Sequence, residues 1–244
     1  MEISRNGKIL ILAYDQGFEH GPVGFNELNV DPKYIFDIAK EGKFTAVAVH
    51  AGVAEKYYDE NYEDIPLIVK LNGKTRFNNE DPVSLKQCSV KRAAQLGAAG
   101  VGYTIYLGSS QEQEMFREFS RICEEAHNFG MKAICWMYPR GPSIKDEMDT
   151  DTLAYAARIA LELGADVVKL KYNGDLNAMK WVVKSAGRAK VVFAGGAKTS
   201  DEEVLRLAKE SLEVGAVGLA IGRNVWQHEN PLKIAHNIRK TLGL

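Results

Sequence analysis

Two lysines stand two residues apart in an apolar run, Gly164-Ala165-Asp166-Val167-Val168-Lys169-Leu170-Lys171-Tyr172. On a strand, side chains alternate faces, so Lys169 and Lys171 share one side while Val168 and Leu170 take the other. Such a stretch is either an edge strand with one solvated face or a covered strand that buries an amine. The flanks favour the covered strand. A Gly-Ala helix stop precedes it and the turn signal Asn173-Gly174-Asp175 follows, which is the punctuation of an alternating strand and helix chain. A desolvated amine beside a second cation sheds its proton, and a neutral amine attacks carbonyls. Lys169 is therefore the candidate for a Schiff base.

Further candidates lie at the ends of other apolar runs. Asp15 closes Ile9-Leu10-Ile11-Leu12-Ala13-Tyr14, where it is either the cap of a loop or a site carboxylate. In Cys135-Trp136-Met137-Tyr138 alternation puts Trp136 and Tyr138 on one face, either as packing or, facing inward, with the phenol one strand from Lys169 as a proton donor and acceptor. Two glycine-rich ends, Ala194-Gly195-Gly196 and Ile221-Gly222-Arg223, let backbone N–H groups approach an anion, with Lys198 and Arg223 adding charge; tight turns also need glycine. His20 is either a contact for a distal phosphate or an ordinary polar loop residue. His50, His127, His228 and His236 have no metal-ligand spacing, and Cys88, Cys123 and Cys135 lack a CxxC pair, which fits reduced, buried thiols and no zinc site.

The elements that must position these residues follow from length and punctuation. The chain has 244 residues, 45% hydrophobic and 26% charged, with a formal net charge of -1. That composition suits one large domain over residues 1–244 and argues against general nucleic-acid binding. No apolar run reaches the ~20 residues of a membrane span and the N-terminus lacks a signal-peptide core, so a cytoplasmic protein is expected. Strands are expected at 9–14, 46–50, 66–70, 97–104, 132–136, within 164–172, 190–194 and 217–221. Helices are expected near 33–41, 84–96, 111–128, 150–163, 176–185, 201–213 and 231–242, with a short helical piece after the second strand and loops at 15–22 and 71–82. Leu96-Gly97-Ala98, Leu163-Gly164-Ala165 and Val214-Gly215-Ala216 form a weak repeat in which glycine ends a helix before the next strand. Eight strand-helix units without a low-complexity linker predict an α/β fold, a closed parallel (βα)8 barrel of the TIM type. A doubly wound open sheet is the alternative, and no GxGxxG fingerprint supports it. Residues at the C-terminal strand ends of such a barrel meet at one mouth.

The runs Asp15-Gln16-Gly17-Phe18-Glu19-His20-Gly21-Pro22, Trp136-Met137-Tyr138-Pro139-Arg140-Gly141 and Gly164-Ala165-Asp166-Val167-Val168-Lys169, with the two glycine-rich ends, resemble archaeal-type class I fructose-1,6-bisphosphate aldolases over nearly the whole chain. The resemblance implies that Lys169 forms the imine, that Asp15 and Tyr138 are the acid/base groups and that Trp136 lines the site. It further implies no metal or other cofactor, and a high-order homo-oligomer. Lys171 fits a site for a doubly phosphorylated sugar, with Gly195, Gly196, Gly222 and Arg223 on the ketose-side phosphate. Relatives on the same barrel include a lysine-dependent amino-dideoxy-heptulosonate synthase and a thiolase-like enzyme, but the run 18–22 is closer to the bisphosphate aldolases. A rival of another class is a barrel that only binds a phosphorylated metabolite.

Overall fold

Six apolar residues, Ile9–Tyr14, open the barrel as strand β1. The computed structural model describes residues 2–77 and 79–244. The other strands are β2 (Ala46–His50), β3 (Leu67–Lys70), β4 (Gly100–Leu107), β5 (Lys132–Pro139), β6 (Val167–Leu170), β7 (Lys190–Ala194) and β8 (Gly218–Ile221). They pair in parallel in sequence order, and β8 pairs with β1, so the sheet closes and leaves no edge. Between them run α1 (Gln16–His20), α2 (Pro32–Glu41), α3 (Ala51–Tyr57), α4 (Val90–Gln95), α5 (Glu112–Asn128), α6 (Thr150–Glu162), α7 (Leu176–Ser185), α8 (Asp201–Glu213), α9 (Arg223–Trp226) and α10 (Pro231–Leu242). Among the described residues no helix is long and apolar enough to cross a membrane.

Local chemistry sets most helix starts. Asp31, Ser89, Asp149, Asp175, Ser200 and Asn230 each cap a helix by accepting a backbone N–H of its first turn. Alternation along the strands then sorts two cores. Ile9, Ile11, Ala48, Ile68, Ile134, Trp136, Val167 and Val192 fill the barrel, while Leu10, Leu12, Val69, Val168, Leu170 and Phe193 pack outward with the helices. Ile3 joins the inner cluster.

Several elements differ from expectation: β4 runs over Gly100–Leu107 rather than 97–104, and the short α9 after β8 is additional. The helix expected at 84–96 begins only at Val90, because residues 84–88 are drawn to the end of β3: Asn72 donates to the Ser84 carbonyl at 2.6 Å and Gln87 N–H to the Leu71 carbonyl at 2.7 Å. The stretch after β1 is helical rather than a plain loop, and β5 continues through Tyr138 to Pro139, carrying Trp136 and Tyr138 on one continuous strand.

Candidate active site

Lys169 points into the barrel from β6, whose neighbour β5 sets Trp136 beside it in register. Its amine lies 5.3 Å from the centroid of the Trp136 ring, and the residue is 5% exposed. Burial pushes the amine's pKa down; Asp15 and Glu19 oppose the shift, and Lys70 and Arg223 reinforce it. The outcome is a lysine with a lowered pKa at the wall of a cavity of about 400 Å³. Asp15, Glu19, His20, Tyr138, Lys171, Gly195, Gly196, Gly222 and Arg223 line the same cavity, which opens at the C-terminal strand ends.

The carboxylates and the phenol are driven apart in proton affinity. Burial alone would raise Asp15, but the amines of Lys169 and Lys70 outweigh it and hold the carboxyl below its ordinary value. For Glu19 burial wins over the Lys70 amine and the carboxyl is raised. Tyr138 is raised well above the ordinary phenol by burial, and then by the negative charge of Glu19 and Asp15. Its ring stacks on Tyr106 at 6.4 Å, fixing its direction across the mouth. A lowered carboxylate and a raised phenol beside one amine are a base and an acid in position.

Between Lys169 on β6 and Asp15 at the end of β1, the loops after β7 and β8 are tied together. The buried Asn224 side chain donates to the carbonyls of Gly195 at 2.7 Å and Ala197 at 2.9 Å and accepts from Thr199 N–H at 2.8 Å. Arg223 adds a donor to the Gly196 carbonyl at 3.1 Å, and its Nε is buried with no protein partner among the described residues. Gly222 is needed for packing as well, since a Cβ there would sit 2.6 Å from the Ala13 carbonyl oxygen; Gly196 has a φ of +70 with open space around it.

Several expected placements change. Trp136 does not line the cavity; it is buried beneath it, under the Lys169 amine. Lys171 reaches the cavity but is engaged by Glu147, which also holds Arg140 at 3.3 Å. Lys198 turns away to the Gln227 carbonyl at 2.9 Å. The cations that lower Lys169 are Lys70 and Arg223 rather than Lys171.

Lys70, Glu19 and Asn224 were not singled out from sequence. Lys70 had a readable signal, since Leu67-Ile68-Val69-Lys70 is an apolar strand closed by lysine, the same pattern as Val167-Val168-Lys169. Glu19 meets Asp15 only because α1 makes residues four apart neighbours, and Gly17 within that short helix and Gly21 at its C-cap give the stretch the pattern of a loop. Another cavity, of about 490 Å³, lies at the other end of the barrel between Ile3, Lys132, Asp166, Arg188 and Lys190. There Lys132 and Asp166 pair at 3.3 Å, and neither Lys169 nor Tyr138 reaches it.

A buried amine of lowered pKa at the mouth of a closed parallel barrel, flanked by a carboxylate and a phenol, defines a class of protein: the lysine-dependent, class I aldolases. The chain belongs to the DeoC/LacD family aldolases, whose model matches residues 9–228. It is 49% identical over 235 residues to the class 1 fructose-bisphosphate aldolase of Thermoproteus tenax, covering 95% of this chain and 88% of that protein. It is 39% identical to a Methanocaldococcus jannaschii protein named fructose-bisphosphate aldolase/6-deoxy-5-ketofructose 1-phosphate synthase, over 95% of this chain and 79% of that one. A solved archaeal fructose-1,6-bisphosphate aldolase, with its catalytic Lys bound to the carbinolamine intermediate, superposes with a TM-score of 0.94 at 47% identity, covering 98% of this chain and 96% of that one.

Proposed function

We propose that the chain reversibly cleaves fructose 1,6-bisphosphate to dihydroxyacetone phosphate and glyceraldehyde 3-phosphate through an imine on Lys169. The observation that carries this reading is the Lys169 amine, buried and depressed in pKa at the wall of the cavity that Asp15 and Tyr138 also line. In the neutral form it attacks the C2 carbonyl. Tyr138 delivers the proton that lets the C2 hydroxyl leave as water, and the iminium then accepts the electron pair of the C3–C4 bond. Asp15, held as a carboxylate, takes the C4 hydroxyl proton as that bond breaks and the aldehyde departs. Protonation of the enamine at C3 and hydrolysis return Lys169.

The ketose-side phosphate fits the loops after β7 and β8, where the Gly195, Gly196 and Gly222 backbone and the Arg223 side chain meet the cavity. A second cavity of about 330 Å³ shares Glu19, His20, Tyr106 and Arg140 with the first and adds Lys74 and Arg76. Three cations around one lobe suit the distal phosphate, with His20 on the rim between the lobes and Lys171 nearer the reacting carbons. The reaction as read uses no metal, since the iminium takes the electrons a Lewis acid would otherwise stabilise. A cytoplasmic setting and a high-order homo-oligomer complete the reading, the latter checked by light scattering.

Borohydride reduction with dihydroxyacetone phosphate tests the core of it. A covalent adduct mapped to the Lys169 peptide and abolished by Lys169→Ala is expected. An adduct on Lys171, or none at all, would leave a phosphometabolite binder or a different nucleophile. Cleavage rates on fructose 1,6-bisphosphate against fructose 1-phosphate then test the distal lobe.

A further inference from the structure

Lys70 is a second lysine inside the barrel, and it lies outside the cavity. Its side chain is fully buried at the end of β3, an expensive place for an amine that an aliphatic residue would fill at lower cost. Packing alone does not explain it. The amine donates to the Asn72 carbonyl at 2.9 Å. Asn72 is itself held, donating to the carbonyls of Ser84 and Thr104 and accepting from Thr104 N–H at 2.7 Å. A carboxylate oxygen of Glu19 stands 3.7 Å from the Lys70 amine. The same amine is 5.6 Å from the centroid of the Trp136 ring, whose centroid is 5.3 Å from the Lys169 amine. Trp136 thus serves both lysines, and Lys70 does not line the cavity where a substrate would sit.

We propose that Lys70 is a positioning residue for the imine chemistry: its amine, braced by Asn72 and Glu19 and set against the same indole as Lys169, disfavours a second cation at Lys169 and favours the carboxylate of Asp15. The inference rests on the reading of Lys169 as the imine lysine. Proton affinities around it point the same way, because the Lys70 charge lowers Lys169, Asp15 and His50 alike, the last to about 4 with burial as the larger cause. The other charges that face Lys169 are Asp15, Glu19 and Arg223, with Lys171 and Tyr138 on the cavity wall. None of these residues is itself altered when only Lys70 is changed.

The two amines are no more than about 11 Å apart, given their shared ring. At an effective dielectric of about 20, charges at that separation displace each other's titration by about one pH unit. Removing the Lys70 charge lets Lys169 hold its proton to higher pH. The acid limb of kcat/KM for cleavage, which reports the free enzyme, should therefore move upward by about one unit or more in Lys70→Met and Lys70→Gln, with about a tenfold loss on that limb that is recovered at higher pH. Gln keeps a donor for the Asn72 carbonyl, so it gives a reading if Met fails to fold. Lys70→Arg, which keeps the charge, should retain the wild-type midpoint even at lower amplitude. Neutral variants that lose activity equally at every pH, with an unmoved midpoint, would make Lys70 merely structural and overturn the proposal. Borohydride trapping of the wild-type enzyme separates this from failure of the aldolase reading, which would show no adduct before any variant is made.

Discussion

Asn224→Ala deletes the tie between the loops after β7 and β8 without touching Lys169, Asp15 or Tyr138. Three hydrogen bonds go: two donated to the Gly195 and Ala197 carbonyls and one accepted from Thr199 N–H. At about 1 kcal/mol net for each, and with the exposed Ala197 end free to rebond to water, the loss is about 2–3 kcal/mol. For a chain of this size that lowers Tm by roughly 4–12 °C. Gly195, Gly196 and Gly222 line the site, so loosening these loops should raise KM for a phosphorylated ketose on the order of tenfold and leave kcat within a few-fold. Asn224→Asp sharpens the test. It can still accept from Thr199, but it sets a carboxylate oxygen against two carbonyl oxygens and should cost at least as much as Ala. Calorimetry and steady-state kinetics on both variants give the readout. An unchanged Tm with an unchanged KM would show that the loops are held by something other than Asn224, and a fall in kcat alone would place the residue's effect in the chemistry.

Tyr138→Phe keeps the stack on Tyr106 and removes only the proton carrier, so kcat should fall on the order of 10² to 10⁴ with circular dichroism unchanged; activity within a few-fold of wild type would leave Tyr138 as packing. Activity after dialysis against EDTA should persist, and loss restored by zinc would show that the electron sink is not the imine.

Much of the barrel is written locally. Strand alternation, helix caps at Asp31, Asp149, Asp175 and Ser200, and glycine stops such as Gly164 are short-range effects, so the eight units and the inward face of Lys169, Trp136 and Tyr138 can be read from spacing. The resemblance of whole motifs points to the same lysine. What spacing cannot carry is which distant strand end stands beside which. The closure of β8 on β1 turns eight separate strand ends into one mouth, and the curvature of the barrel brings β3 and β6, three strands apart, over one interior, so that Lys70 meets the indole under Lys169 across about 100 residues of chain. The same holds for Glu147, which reaches Lys171 and Arg140 from the loop before α6. Charge, too, belongs to the assembled site. Each of Lys169, Asp15, Glu19 and Tyr138 has an ordinary proton affinity as an isolated residue, and only burial beside the others drives them apart, because desolvation and Coulomb interactions depend on distances that the folded barrel alone sets.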